Sequence, residues 1–402
     1  MSTIRTTLLR VLRVVRDAWL IVGITLGLII VLEIAWRAAA FAAGSLARGP
    51  VAGPASPFDT VSWAGDYARD VSRESSLLWE PYVYLRNPSF EGRAISVDSS
   101  GHRRTFTPPL GSKPLELWVL GGSAAFGWNQ RDAFTIPSVL ARELAGKDVH
   151  VTNLAVPGFV FTQELIALEL RLRAGARPDI VLFYDGVNDA FATVQAGVAG
   201  IPENEANRAA DFAAGRERAR DSLLGIPTDL RVARHAAANI AGRLRLLAPL
   251  RRTGGAQTAR TISADSATRG IVRVYLANVR MVEALGRAWG FTPLYAWQPS
   301  LLSSAKVRTP YERWVAATFD DAPNAMLYRD IMRGVPAVLR EPMASLASGR
   351  FVDLTDLFRG DTASVFLDAY GHTVEGANVE VVAALRPFIE GAAAHSRRGE
   401  MP

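Results

Sequence analysis

The residues of this 402-residue chain best placed to do chemistry are a serine and a histidine far apart in sequence. Ser123 stands in "LWVLGGSAAFGW", residues 117–128, where an apolar run breaks into Gly121 and Gly122. Two glycines let the backbone turn sharply, so the hydroxyl can stand clear of a strand end. A serine nucleophile also needs a base to take its proton. The chain has five histidines. His102 lies in a turn beside Gly101, His150 opens a strand, His235 lies in "RVARHAAANI" and His395 in the tail. His372 follows "VFLDAYG" and precedes a helical pattern, in a loop expected to return to the rim that carries Ser123. Asp368, with Ala369, Tyr370 and Gly371 between it and His372, is close enough in sequence to orient the imidazole.

Acyl transfer needs donors aimed at a developing oxyanion. The Ser123 N–H opens a helix, Gly158 in "NLAVPG" offers an N–H that no Cβ shields, and Asn188 in "YDGVND" offers a side-chain amide. Asp189 reads as structural, bonding backbone in that loop. Trp128 and Trp297 are candidate walls of a substrate cleft, with core packing as the competing reading for each. There is no cysteine, which excludes thiol nucleophiles, thiolate metal sites and disulfides. No histidine pair or acid cluster has metal-ligand spacing, so neither metal nor cofactor is expected.

These residues need a scaffold that brings strand ends to one edge. From Leu115 onward the pattern alternates strand and helix: "LELWVLGG", "IPSVLARELAG", "VHVTNLAVPG", "TQELIALELRLRAG", "DIVLFYDGVND". It resumes with a helix over about 271–289, the strands "TPLYAWQP" and "FVDLTDLF", and the helix "GANVEVVAALRPFI". Strands alternating with helices predict a parallel sheet covered on both faces, with ligands at the carboxyl edge. Residues 113–392 form the expected α/β domain. About 190–267 is an Ala- and Arg-rich helical insertion beside the third strand, a candidate lid or a surface excursion. Residues 77–112 predict a small antiparallel flap. Residues 41–76, rich in Ala, Gly, Ser and Pro, read as a linker, and 393–402 as a tail.

The N-terminus predicts a membrane anchor. Arg5, Arg10, Arg13 and Arg16 precede an apolar run from Ala18 to Trp36 that contains one charge, Glu33. At ~1.5 Å per residue this run approaches the ~30 Å of a hydrocarbon core. Trp19 and Trp36 sit near its ends, where interfacial aromatics belong. The arginine bias places residues 1–17 in the cytoplasm, a span over 18–40, and the remainder outside. A cleaved signal peptide is the competing reading, with "AAAFAAG" as the cleavage region. The net charge of +6 is dispersed, and no nucleic-acid motif accompanies it.

The chain resembles the SGNH (GDSL-like) hydrolases over about residues 113–389. The family's four blocks occur in order: Gly121-Gly122-Ser123, Gly158 in "NLAVPG", Gly186-Val187-Asn188-Asp189, and Asp368 with His372. Any one block is weak, and four in order at strand ends are strong. The resemblance implies a three-layer α/β/α, flavodoxin-like fold. It also implies a Ser123 nucleophile, a His372 base, an Asp368 partner, and an oxyanion hole from Ser123, Gly158 and Asn188. Two departures stand out. Gly122 replaces the usual aspartate, and three residues rather than two separate Asp368 from His372. A bulge at Gly371 could absorb the extra one. The flank "WEPYVYLRNPSFEG…SSGHRRT" is similar to that of bacterial members found with cell-envelope or exopolysaccharide genes.

The expected function is therefore a serine esterase anchored in a bacterial inner membrane with its catalytic domain in the periplasm. Its expected partner is an acylated glycan or small ester, with no nucleic acid, and the sequence does not fix the oligomeric state. An O-acyltransferase using the same serine, and a non-catalytic polysaccharide assembly or binding protein, are the alternatives.

Overall fold

The structure, a computed structural model of the chain, describes scattered residues between 16 and 31. It also describes residues 53–398 apart from 75, 206, 214, 215 and 217–261. The chain divides into two units, residues 53–207 with 257–402, and residues 1–52 with 208–256. The second lies largely outside the described residues, and so do the basic segment 1–17, most of the expected span 18–40 and the middle of the insertion. Among the described residues no helix is long and apolar enough to cross a membrane.

The first unit is built on five parallel strands: β3 (Leu115–Gly121), β4 (Val149–Asn153), β5 (Ile180–Asp185), β6 (Thr292–Trp297) and β7 (Phe351–Asp353). Two short strands, β1 (Leu78–Glu80) and β2 (Tyr84–Arg86), form a separate hairpin. The sheet order is β4-β3-β5-β6-β7. In chain order these strands run 2-1-3-4-5, the flavodoxin-like arrangement, whose order reverses between β3 and β5. Side chains of a strand alternate between faces. In β5, Ile180, Leu182 and Tyr184 enter one core while Val181 and Phe183 enter the other. All six β5 residues are buried, and the strand is a continuous hydrophobic run up to its terminal Asp185 rather than alternating with polar residues.

Helices cover both faces. On one side lie α3 (Ile136–Glu143) and α9 (Ala377–Arg397). On the other lie α4 (Phe161–Arg173), α6 (Ala264–Trp289) and α8 (Ala325–Leu346). The short α2 (Ser123–Phe126), α5 (Val187–Ala196) and α7 (Pro310–Asp320) leave strand ends or connect these layers, and α1 (Ala64–Glu74) precedes the hairpin.

Several boundaries differ from the sequence expectation. Residues 57–74 are folded, not linker. Phe58, Trp63 and Tyr67 meet edge to face, at 5.0 Å for the first pair, and pack on the domain. Asp70 then accepts the Arg93, Ala94 and Ile95 N–H groups. Small-residue composition hid this because three aromatic side chains are enough to seat one helix. The tail is helical as far as Arg397, since Ala392 and Ala393 are buried in the core. The helix α8 has no counterpart among the sequence expectations. Pro336 and Pro342 interrupt its helical text. Ile331, Val335, Leu339 and Met343, one helical face, hold it in the core with Val272, Tyr275 and Val279 of α6.

Candidate active site

Three strand ends form the site. The chain leaves β3 through Gly121, where φ is +152° and a Cβ would lie 2.6 Å from the Ala125 Cβ and 2.7 Å from the Tyr184 carbonyl oxygen. Only glycine fits this turn. Ser123 follows at the first position of α2, with its backbone N–H free of any helical acceptor.

The Ser123 Oγ lies 2.7 Å from His372 Nε2. On the far side of the ring, His372 Nδ1 lies 2.5 Å from Asp368 Oδ2. The second carboxylate oxygen accepts the Tyr370 and His372 N–H groups at 2.9 and 3.3 Å. Asp368 is thus fixed by its own loop before it meets the ring. Between acid and base, Gly371 takes φ +86°. A Cβ there would lie 2.9 Å from both Gln298 Nε2 and the Pro299 carbonyl oxygen. A serine on one imidazole nitrogen and a carboxylate on the other is an arrangement that can remove the hydroxyl proton as the oxygen attacks.

The donors gather from the neighbouring loops. Among the described residues neither the Ser123 nor the Gly158 N–H donates to a backbone carbonyl. Gly158 is at φ +83°. Asn188 Nδ2 donates to the Phe159 carbonyl at 2.8 Å, which leaves its second hydrogen available. That bond ties the loop after β4 to the turn after β5.

The supporting contacts come from the flap and from the loops after α2 and β7. Arg103 is buried. Its guanidinium donates to the Phe126, Gly127 and Gln130 carbonyls, to Gly127 at 2.6 Å, and to Asp132 Oδ1 at 3.0 Å. It closes the turn that ends α2. Burial pushes the Asp132 carboxyl up, and Arg103 beside it offsets part of that. Gln130 donates to the Thr373 carbonyl at 3.1 Å, and Arg131 grips Glu375 through two nitrogens at 3.0 and 2.7 Å. The Ser123 and His372 loops are therefore joined directly. Glu312 of α7 holds the approach to Asp368 by accepting the Val365 and Phe366 N–H groups. Burial alone would raise its pKa, but Lys306 at 2.8 Å and the surrounding N–H groups hold it below the ordinary value.

The two tryptophans separate. The Trp128 ring lies 6.1 Å from that of His372 and is only partly buried, so it borders the site. Trp297 does not. It is fully buried, its ring is packed against Gly186 and lies 5.8 Å from Tyr275. The substrate-wall expectation for Trp297 is corrected: its strand position aims the side chain into the core below the rim. Asp189 is buried and accepts the Phe161 N–H at 3.5 Å. Of the other histidines, His150 meets Glu116, His102 meets Asp98, and His395 lies on α9. His235 lies outside the described residues.

Two neighbours were not read from the sequence. Glu203, at the start of the insertion, places Oε1 2.8 Å from where a Gly158 Cβ would stand. Tyr370, between Asp368 and His372, is exposed and meets Phe191 edge to face at 4.8 Å. No sequence signal separated Glu203 from the other acids of the insertion, whereas the place of Tyr370 between acid and base could have marked it.

No family model matches the sequence. No curated protein matches it either. Solved structures resemble it distantly. One is a member of the lipolytic G-D-S-L family from Veillonella parvula, at 9% identity and TM-score 0.37, over 68% of this chain and 97% of that one. Another is an acetylxylan esterase from Geobacillus stearothermophilus, at 12% identity and TM-score 0.33, over 70% of this chain and 96% of that one. At these values the likeness carries no argument about chemistry, which rests on the geometry of Ser123, His372 and Asp368.

Proposed function

We propose that the chain is a serine carboxylic ester hydrolase of SGNH type. The observation that carries this reading is the continuous contact from Ser123 Oγ through both His372 nitrogens to Asp368. Ser123 attacks the ester carbonyl as His372 takes its proton, and Asp368 holds the ring in the tautomer that leaves Nε2 free. The Ser123 and Gly158 N–H groups and the Asn188 amide receive the oxyanion. His372 then returns the proton to the departing alcohol, and water clears the acyl-enzyme by the same route.

The proposed substrate is a short acyl group, acetyl, on an envelope or secreted polysaccharide. Trp128 and Tyr370 both border the His372 loop and present aromatic surface to an alcohol moiety. The proposal includes a periplasmic catalytic domain tethered through residues 18–40, on the arginine bias and apolar run of the N-terminus.

The deciding experiment is hydrolysis of p-nitrophenyl acetate and of an acetylated glycan by the full chain in detergent, wild type beside Ser123→Ala. Release of acetate that disappears in the variant supports the reading. Equal, robust turnover in both removes Ser123 from the reaction. Acetate that leaves only when a glycan acceptor is present points to a transferase.

A further inference from the structure

The segments carrying the Gly158 and Asn188 donors converge on a group of three buried acids. Glu164 stands in the first turn of α4, which follows the Gly158 loop. Asp185 ends β5, and Asp189 follows Asn188. They are 1%, 3% and 6% exposed. Among the described residues none of them forms an ion pair with Lys, Arg or His. The Glu164 carboxyl is close enough to feel the Asp185 charge, and Asp185 stands opposite Trp297 in the β5–β6 register. All four carboxyl oxygens of Glu164 and Asp185 lack a donor. The Tyr275 hydroxyl, close enough to feel all three charges, and Trp297 Nε1 are also buried without partners.

The Tyr295 hydroxyl is close enough to feel the Asp185 charge, and its own partners turn it away from the cluster. Tyr295 of β6 donates to Glu283 of α6 at 3.1 Å, and Arg350 pairs with the same Glu283 at 2.8 Å. Three unpaired carboxylates in an apolar interior are not tolerable, and such groups take up protons instead. Burial first, and then the neighbouring charges, push Glu164 and Asp185 well above the ordinary carboxylate range. Burial raises Asp189 to about 7. A proton taken up there supplies a donor among acceptors that lack one. Buried polar atoms left over, such as Tyr275 Oη and Trp297 Nε1, are what an internal water would satisfy.

We propose that Glu164, Asp185 and Asp189, with Tyr275 and Trp297, form a sealed site for shared protons and water. The protons held there keep the Gly158 and Asn188 donors in register. The link to the donors is short. Asp189 Oδ2 accepts the Phe161 N–H, and the Phe159 carbonyl accepts the Asn188 amide at 2.8 Å. Losing the protons places like charges on the start of α4 and on the Gly186–Asp189 turn, and repulsion separates them. The three acids are positioning residues, since none touches the reacting atoms. The catalytic half of this inference rests on the oxyanion hole proposed above.

Infrared spectroscopy of the full chain reads the site without turnover. The expected result is a protonated-carboxyl stretch near neutral pH that weakens in Glu164→Gln or Asp185→Asn. Absence of that band in the wild type overturns the proposal, as does a stoichiometric metal ion in the purified chain. The second measurement is the pH profile of kcat. The wild-type value should fall on the alkaline side, and the amide variants should move that fall upward by ~1 unit or more with KM little changed. An identical alkaline limb in folded variants overturns the positioning role. If Asp185→Asn does not fold, Glu164→Gln carries both readouts. An enzyme inactive on every ester would sink the esterase reading while the infrared band still judged the proton site.

Discussion

The side-chain amide of Asn188 stands where a side chain at residue 122 would begin: its Nδ2 is 1.9 Å from the ideal Cβ position of Gly122. Gly122 itself lies at φ −88°, which any residue adopts, so a side chain here would meet the Asn188 amide rather than backbone strain. The SGNH pattern has aspartate at this place. In this chain the glycine and the amide fit together, and both belong to the oxyanion hole of the proposed mechanism.

Gly122→Ala should therefore displace the Asn188 amide. It should lower kcat by ~10²-fold, as loss of one oxyanion donor does, with Asn188→Ala giving ~10²–10³-fold. The double variant should be no worse than Asn188→Ala alone, because both remove the same donor. Kinetics of the three variants on one activated ester check this. Additive losses would mean that residue 122 acts separately.

Asp368→Asn should leave the fold intact, because the amide oxygen can still accept the Tyr370 N–H. It should drop kcat by about 10⁴-fold through loss of the correct imidazole tautomer. Proton NMR of the His372 ring, alongside kcat, reads the tautomer directly. A loss under tenfold would assign the orienting role to another group.

Arg103→Met should destabilise the unit by ~3–5 kcal/mol. It leaves Asp132 buried without its cation, and the Phe126, Gly127 and Gln130 carbonyls without their donor. Denaturant unfolding measures the cost. A change within experimental error would show that the flap does not brace the serine turn.

Stability should fall as pH rises from ~4 towards about 7. The folded chain holds the Asp189 proton up to about 7, whereas an unfolded aspartate releases its proton near ~4. The stabilisation is complete below the unfolded value and is lost as pH climbs through the folded one. Glu164 and Asp185, also raised, extend the decline in the same direction. Melting curves across pH should show this slope flattened in Asp189→Asn. An equal slope in that variant would place the titration elsewhere.

Part of this was legible in one dimension. The apolar runs ending in Gly121-Gly122-Ser123, in "NLAVPG" and in "YDGVND" mark strand ends, since a buried parallel strand is apolar throughout and its exit needs turn residues. Those ends imply the parallel sheet and the residues that meet at its carboxyl edge. The helix over 325–346 was not legible, because its prolines contradict its local text and only packing on α6 sustains it.

Sequence by itself determined which side chains could react and roughly where each stands, because periodicity and turn chemistry are local properties. Tertiary structure alone decided whether they touch. Ser123 and His372 are 249 residues apart and meet through the sheet order and through the braces at Arg103, Gln130 and Arg131. The same packing buried Trp297 below the rim and seated α1 on the domain. It also buried Glu164, Asp185 and Asp189, which come from two strand-to-helix connections. Burial and contact are sums over distant segments, and no local stretch of sequence contains them.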